Sequence, residues 1–269
     1  MQYGMIIDLE RCVGCHACTI ACRAEWEVPV PYQRNWVKRL GPTMTDDGMA
    51  STYYPGLCNH CDKPPCVEEC PADVVERTFT DVKTGKTTTL EVAATWKDPF
   101  DGSVQVDKDR CLGCGACADA CPYGARYVNP AQADDNSEGK VDKCTYCKPR
   151  VDQGLVPACV QTCIADARIF GDLDDPNSAV SQYVKKGAKG LEVQDGHIGP
   201  NSRYYGNKKD MGLLFADYTP KLADMGSVKR RAMMASMVKP AMRKAKDIGI
   251  LGLAGAMLVK GLSEDKDNK

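Results

Sequence analysis

Sixteen cysteines carry the chemistry of this chain, and they fall into four groups of four with none left over. Group I is Cys12, Cys15, Cys18 and Cys22; group II is Cys58, Cys61, Cys66 and Cys70; group III is Cys111, Cys114, Cys117 and Cys121; group IV is Cys144, Cys147, Cys159 and Cys163. Groups I and III share the spacing C-x2-C-x2-C-x3-C, whereas the second gap widens to four residues in group II and to eleven in group IV. Three thiolates two residues apart on a wrapped loop reach one cubane cluster from one face. The fourth, with three residues between, points away, and in two-cluster proteins it ligates the neighbouring cluster. The groups are therefore expected to work in reciprocal pairs, and sixteen thiolates at four per cluster predict four [4Fe–4S] clusters that bind iron through these cysteines alone. Two other chemistries compete. Disulfide frameworks are dense in short secreted chains, but this chain has 269 residues and four copies of one pattern. All-cysteine zinc sites use two C-x2-C pairs at a wide gap, not three cysteines at two-residue steps with a fourth behind them.

The remaining composition narrows the function by exclusion. A formal charge of −1 supplies no overall field for nucleic acid. Hydrophobic residues make up 43% but only four are phenylalanine, which predicts a core built partly around inorganic clusters. Met1-Gln2-Tyr3-Gly4 runs almost directly into the first ligand loop, so no leader with a charged, apolar or twin-arginine segment is expected ahead of Cys12. No Ser/His/Asp set or carboxylate pair stands out, and no catalytic residue is predicted. His16 and His60 sit inside ligand loops, where packing or a hydrogen bond is expected, since thiolates fill every ligand position; His197 has no partner motif. Arg11 and Arg110 each precede a first ligand and either raise a cluster's potential by proximity or lie solvated and inert.

The elements that must position these loops are short. Residues 4–8 read as a strand entering group I, and 103–107, with Val104 and Val106 alternating, as its counterpart before group III. The stretches 8–18 and 107–117 echo each other, an internal repeat. Gly14 and Gly113 permit tight turns of positive φ that bring backbone N–H groups onto a cluster. Val74-Val75, Ala125-Arg126-Tyr127-Val128 and Ala167-Arg168-Ile169-Phe170 read as return strands. The predicted fold is α+β and loop-rich. Residues 82–87 look like a hairpin turn ahead of a threonine-rich strand. A helix is expected near 178–186, followed by irregular, glycine-bearing chain. From 228 to 246 there are seven Lys or Arg and no acid, and 248–259 is uncharged. Twelve residues are too few to span a bilayer, which takes about twenty, so the tail is expected to dock on a membrane surface or a partner groove.

The four groups, the stretch Cys58-Asn59-His60-Cys61 with Pro64-Pro65-Cys66, and Lys143-Cys144-Thr145-Tyr146-Cys147 through Gly171-Asp172-Leu173-Asp174-Asp175-Pro176 resemble the iron–sulfur subunits of molybdopterin oxidoreductases, over roughly residues 3–190. Dimethyl sulfoxide, polysulfide, tetrathionate, arsenate and nitrate reductases and formate dehydrogenases form that group. The resemblance implies nested pairing, group I with IV and II with III, although spacing alone also allows I with II and III with IV. On the nested scheme cluster 1 takes Cys12, Cys15, Cys18 and Cys163, and cluster 2 takes Cys144, Cys147, Cys159 and Cys22. Cluster 3 takes Cys58, Cys61, Cys66 and Cys121, and cluster 4 takes Cys111, Cys114, Cys117 and Cys70. The fold implied is two ferredoxin-like dicluster modules with a pseudo-twofold repeat and a C-terminal helical tail. The first module comprises 1–22 and 141–176; the second comprises 56–130, with an insertion at 76–102. A further insertion covers 23–55, an extension 177–227 and the basic then apolar tail 228–269. The function implied is electron relay between a molybdopterin catalytic subunit, facing cluster 1, and a quinone-linked or haem-bearing membrane subunit, nearest cluster 4. The location implied is the extracytoplasmic face of the membrane by co-export with a signal-bearing partner, with the cytoplasmic face as the alternative. A free soluble polyferredoxin is the alternative function. Cys22 and Cys163 lack the proline that follows Cys70 and Cys121, and Cys114 stands where nitrate reductase-type subunits have tryptophan.

Overall fold

The computed structural model describes residues 1–217 except Asp47, Asp135, Asn136 and Asp195. The basic stretch 228–246, the apolar run 248–259 and the expected tail helix lie outside the described residues. Strand β1 (Tyr3–Asp8) leads into group I and helix α1 (Ala17–Trp26). The hairpin β2 (Asn35–Thr45) and β3 (Gly48–Leu57) precedes group II, which carries α2 (Pro65–Glu68). A second hairpin, β4 (Val75–Thr80) and β5 (Thr87–Val92), and the pair β6 (Thr95–Lys97) and β7 (Val104–Val106) lead to group III and α3 (Ala116–Asp119). β8 (Arg126–Asn129) pairs with β9 (Lys140–Lys143) ahead of group IV, which carries α4 (Lys148–Val151) and α5 (Ala158–Gln161). β10 (Arg168–Asp172), α6 (Ala179–Lys185), β11 (Lys189–Gly190), β12 (Ser202–Tyr205) and α7 (Lys208–Asp217) follow. Among the described residues no helix is long and apolar enough to cross a membrane.

β1 is buried at every residue because it lies inside a four-stranded sheet ordered β10-β1-β12-β11. Its sequence is a continuous apolar run rather than an alternation, as a strand covered on both faces requires. Met5 and Ile7 face the main core with Tyr54 and Tyr146, and Ile6 faces the other way onto Val180 and Ala188. The expected counterpart, β7, is only three residues long and pairs with β6 alone. The two copies of the sequence repeat therefore sit in different sheets. The chain after α6, expected to be irregular, adds β12 parallel to β1 and packs α7 on β3 and β2. The hairpin expected around residues 82–87 is present, with Gly85 at φ +70 in its turn.

One local plan recurs in all four ligand loops. The third cysteine (Cys18, Cys66, Cys117 or Cys159) is the second residue of a helix, and the fourth follows four residues later. The helix thus begins before the third cysteine; in group I it runs on through Cys22, whereas Cys70, Cys121 and Cys163 lie two residues past the ends of their short helices. The residue before the second cysteine is left-handed in every group: Gly14 at φ +67, His60 at +44, Gly113 at +61 and Tyr146 at +55. At Gly113 the close approach is also obligatory, because a Cβ would lie 2.0 Å from the Gly139 carbonyl oxygen.

A buried carboxylate ties distant segments together. Asp142 on β9 accepts from Arg34 Nε and Nη2 at 2.9 and 2.7 Å, from Lys108 Nζ at 2.9 Å and from the Tyr127 hydroxyl at 2.7 Å. The Arg34 and Asp142 side chains are 4% and 2% exposed. Burial pushes the carboxyl up, but Arg34 and then Lys108 outweigh it and hold Asp142 below the ordinary carboxylate range. This stabilisation is therefore present above the unfolded carboxylate pKa and is lost as pH falls through the depressed folded value.

Asp142→Asn leaves Arg34 buried without a counter-charge and should cost about 3–5 kcal/mol in denaturant unfolding at neutral pH, with the deficit shrinking in acid. Gly113→Ala should displace the loop bearing Cys111 and Cys114 and lower bound iron. Gly85→Ala, at φ +70 with nothing within 4 Å of the added methyl, should leave the iron content unchanged.

Candidate metal centre

All sixteen cysteines are free, and Cys15 alone among them is exposed. Cys12, Cys15, Cys18 and Cys163 line one cavity, with Val13, Gly14 and Ile164 at its wall. α1 packs against α5 and α2 against α3, so group I meets group IV and group II meets group III. Cys22 feels repulsion from Cys159 and Cys147. Cys61 feels it from Cys58, Cys66 and Cys121. Among the described residues no three His, Cys, Asp or Glu side chains converge tightly enough for a single metal ion.

The donor set and its surroundings fit an anionic, thiolate-bound cluster. Burial, with repulsion between neighbouring cysteines, pushes the Cys22 thiol up to about 12. Burial pushes Cys66 and Cys159 up to about 11 and Cys117 to about 12, with a nearby arginine partly offsetting it in each case. Thiolates packed this closely require cations at their centre, so metal loading must release protons. Arg126 and Arg168 are 5% and 3% exposed, yet Arg126 Nε and Nη2 and Arg168 Nη2 have no hydrogen-bond partner. Buried guanidinium groups are costly without an anion. Both face cysteine sulfur: Arg126 lies near Cys66, Cys117, Cys58 and Cys121, and Arg168 near Cys159, Cys18 and Cys144. Lys143, 1% exposed, lies near Cys58, Cys144 and Cys66, and its ammonium donates to the carbonyls of Val104 and Cys144. Several donors reach sulfur directly. Trp26 Nε1 donates to Cys147 Sγ at 3.3 Å, the Ala167 N–H to Cys163 Sγ at 3.2 Å, and the Val141 N–H to Cys111 Sγ at 3.4 Å. Such bonds stabilise charge on sulfur and tune reduction potential.

The arginines that sequence reading singled out are not the buried ones. Arg11 is 45% exposed and pairs with Asp166 at 3.4 Å. Arg110 donates to the backbone carbonyls of Asp73, Val92 and Ala93. A signal for the buried pair does stand in the sequence, because an Ala-Arg dipeptide begins a return strand after groups III and IV alike, its arginine five residues past Cys121 and Cys163. His60 is fully buried and stacks on Tyr146 with ring centroids 3.7 Å apart. Its Nδ1 accepts from the Val104 N–H at 2.8 Å, which leaves Nε2 as an unpartnered buried donor. Burial keeps the ring neutral. Residues from the far extension support the same loop: Asn201 Nδ2 donates to the His60 carbonyl at 2.9 Å and Ser202 Oγ to the Cys58 carbonyl at 3.2 Å. Nothing in the local sequence marked them. His16 is exposed at the start of α1, and His197 pairs with Glu192 at 3.2 Å, away from the cysteines.

Comparison with known proteins agrees with this chemistry. Residues 49–173 match a family described as 4Fe-4S dicluster domain, and residues 3–24 one described as 4Fe-4S binding domain. The chain is 39% identical to the B subunit of tetrathionate reductase from Archaeoglobus fulgidus, covering 73% of this chain and 78% of that protein. It is 38% identical to the B subunit of polysulfide reductase from Wolinella succinogenes over 68% of this chain and 83% of the other. It is 34% identical to the arsenate respiratory reductase iron-sulfur subunit of a Shewanella species over 69% of this chain and 88% of the other. With these relatives and these buried thiol sites, the chain belongs to the [4Fe–4S] iron–sulfur subunits of the molybdopterin oxidoreductase family.

Proposed function

We propose that this chain relays electrons through four [4Fe–4S] clusters between a molybdopterin catalytic subunit and a membrane subunit of a respiratory oxidoreductase, and that the sixteen cysteines are shared in the nested order. Cys163 joins Cys12, Cys15 and Cys18; Cys22 joins Cys144, Cys147 and Cys159; Cys121 joins Cys58, Cys61 and Cys66; Cys70 joins Cys111, Cys114 and Cys117. The observation that carries this reading is the company kept by the fourth cysteines. Cys163 shares a cavity with the first three of group I, Cys22 lies beside Cys147 and Cys159, and Cys121 lies beside Cys58. The packing of α2 on α3 supports the remaining set. Two modules follow from this scheme, 1–22 with 141–176 and 56–130, related by the pseudo-twofold repeat, with 23–55, 76–102 and 177–227 as insertions and extension around them.

A [4Fe–4S] cluster, when bound, supplies a one-electron redox couple. The chain's own residues hold it, exclude water and set the charge around it. The first site is the end for the catalytic partner: Cys15 is exposed there, and the flanking Val13 and Ile164 are 56% and 74% exposed, an apolar rim suited to burial under another protein. Every cysteine of groups II and III is buried or half-buried, and the fourth site, within this set, is the end nearest the membrane. The basic and apolar segments of the tail suit docking on the membrane surface or in a groove of the membrane subunit. The extracytoplasmic face, reached with a signal-bearing partner, is the location this reading favours.

Anaerobically purified protein should carry about sixteen iron and sixteen sulfide per chain, four of each per cluster; zinc in their place overturns the assignment. Cys114→Trp should change the electron paramagnetic resonance of one cluster and leave that of the Cys12 site intact, and a changed Cys12 site would refute the nested order. Removing residues 228–269 should release the complex from membranes into the soluble fraction. Unchanged retention removes the tail from the anchor, and purification as a free, monodisperse carrier without a molybdenum partner would favour a polyferredoxin instead.

A further inference from the structure

We propose that Arg126 and Arg168 are matched internal counter-cations, one set between the two clusters of each module, that raise the reduction potentials of the pair they separate. The inference rests on the nested ligand sets above. Each guanidinium lies within electrostatic range of sulfur from both sets of its module. Arg126 lies near Cys58, Cys66 and Cys121 of one set and Cys117 of the other. Arg168 lies near Cys18 and Cys12 of one set and Cys159, Cys144 and Cys22 of the other. Neither has a carboxylate partner among the described ion pairs, and Arg168 Nη1 is 4.0 Å from Cys159 Sγ. Arg126 is held on its far side by Thr95 Oγ1, which accepts from Nη1 at 3.3 Å.

Their positions in the chain are equivalent. Each is the first residue of the strand that follows its group, preceded by a buried alanine, Ala125 or Ala167. Groups I and II place Glu27 and Val75 at the corresponding step, so each module receives one arginine, always from its C-terminal half. Arginine suits this place because it stays protonated at any working pH and is less strongly hydrated than lysine. Reducing a cluster adds one electron and one negative charge and moves no proton. A permanent cation in a dry interior favours that step and also offsets the repulsion between two buried anionic clusters.

The test uses full-length chain in its complex, purified anaerobically, with Arg126→Gln, Arg126→Lys, Arg168→Gln and Arg168→Lys. Iron per chain is measured first, and the four midpoint potentials are then followed by electron paramagnetic resonance during redox titration. The expected result is that Arg126→Gln lowers two of the four potentials and Arg168→Gln the other two. Each shift should be roughly tenfold or more in the reduction equilibrium, about 59 mV for one electron, and each lysine variant should restore most of it. Loss of iron in a glutamine variant but not in its lysine counterpart also supports a charge role. Four unmoved potentials at full iron content, or lysine variants that shift or lose iron as far as the glutamine ones, overturn the counter-cation role and leave the ligand sets standing. Overlap between the clusters shifted by Arg126→Gln and by Arg168→Gln would instead refute the nested sets.

Discussion

The constraint on which this structure depends is the burial of negative charge. A thiolate-bound cluster is an anion, and moving an anion out of water is costly unless charge or hydrogen-bond donors meet it. Compensation is visible beside much of the buried cysteine sulfur. Arg126, Arg168 and Lys143 are all at most 5% exposed. Arg126 and Arg168 face sulfur directly, and Lys143 stands where groups II and IV approach each other. An indole and several backbone N–H groups complete the set. The apolar core is organised around the same sites, and eight of the sixteen cysteines belong to its two largest patches, Cys18, Cys58, Cys61, Cys144 and Cys159 in one and Cys66, Cys111 and Cys117 in the other.

The local backbone answers the same demand. A loop that must turn several N–H groups toward one centre needs a left-handed residue, and each of the four loops has one before its second cysteine. Groups I and III use glycine, which adopts this conformation without strain. Groups II and IV use His60 and Tyr146, which adopt it at a cost. Their rings stack face to face in the interior, and that contact, with the bonds from Asn201 and Ser202 to the group II loop, holds the costly conformation in place. The glycine loops are tuned by fit instead: Gly113 lies against the Gly139 carbonyl and Gly14 against the Tyr53 ring.

The ligand loops were legible in the sequence because cluster binding by neighbouring thiolates is a local constraint, written as spacing. The entering strand at 4–8, the return strands at 126 and 168 and the turn near Gly85 were legible for the same reason, since short apolar runs and turn residues act over a few positions. What was hidden depends on partners far along the chain. Arg126 and Arg168 sat within runs read only as strands; the shared Ala-Arg step marks them as equivalent, but that the side chains meet sulfur shows only in the three-dimensional neighbourhood. Arg11 and Arg110 were adjacent to ligands in sequence, and adjacency was a poor guide to burial. The stretch between α6 and α7 lacks any periodic pattern, yet its 202–205 segment completes the sheet on β1 because backbone pairing, not side-chain pattern, recruits it. The repeat in sequence around groups I and III was real, but it did not extend to equal sheets.

The placement of β1 has a consequence for how the molecule is made. Its antiparallel neighbour comes from residues 168–172 and its parallel neighbour from residues 202–205. β1, made ahead of every other described strand, therefore waits for nearly all of the described chain before both of its edges are paired. The helices of groups II and III, by contrast, pack on each other within a continuous stretch of sequence. Contacts of such different span do not close at the same rate. Vectorial synthesis thus favours a chain whose groups II and III can consolidate while β1 and the group I cysteines remain uncommitted, so a strand made before its partners is locked into the sheet after them.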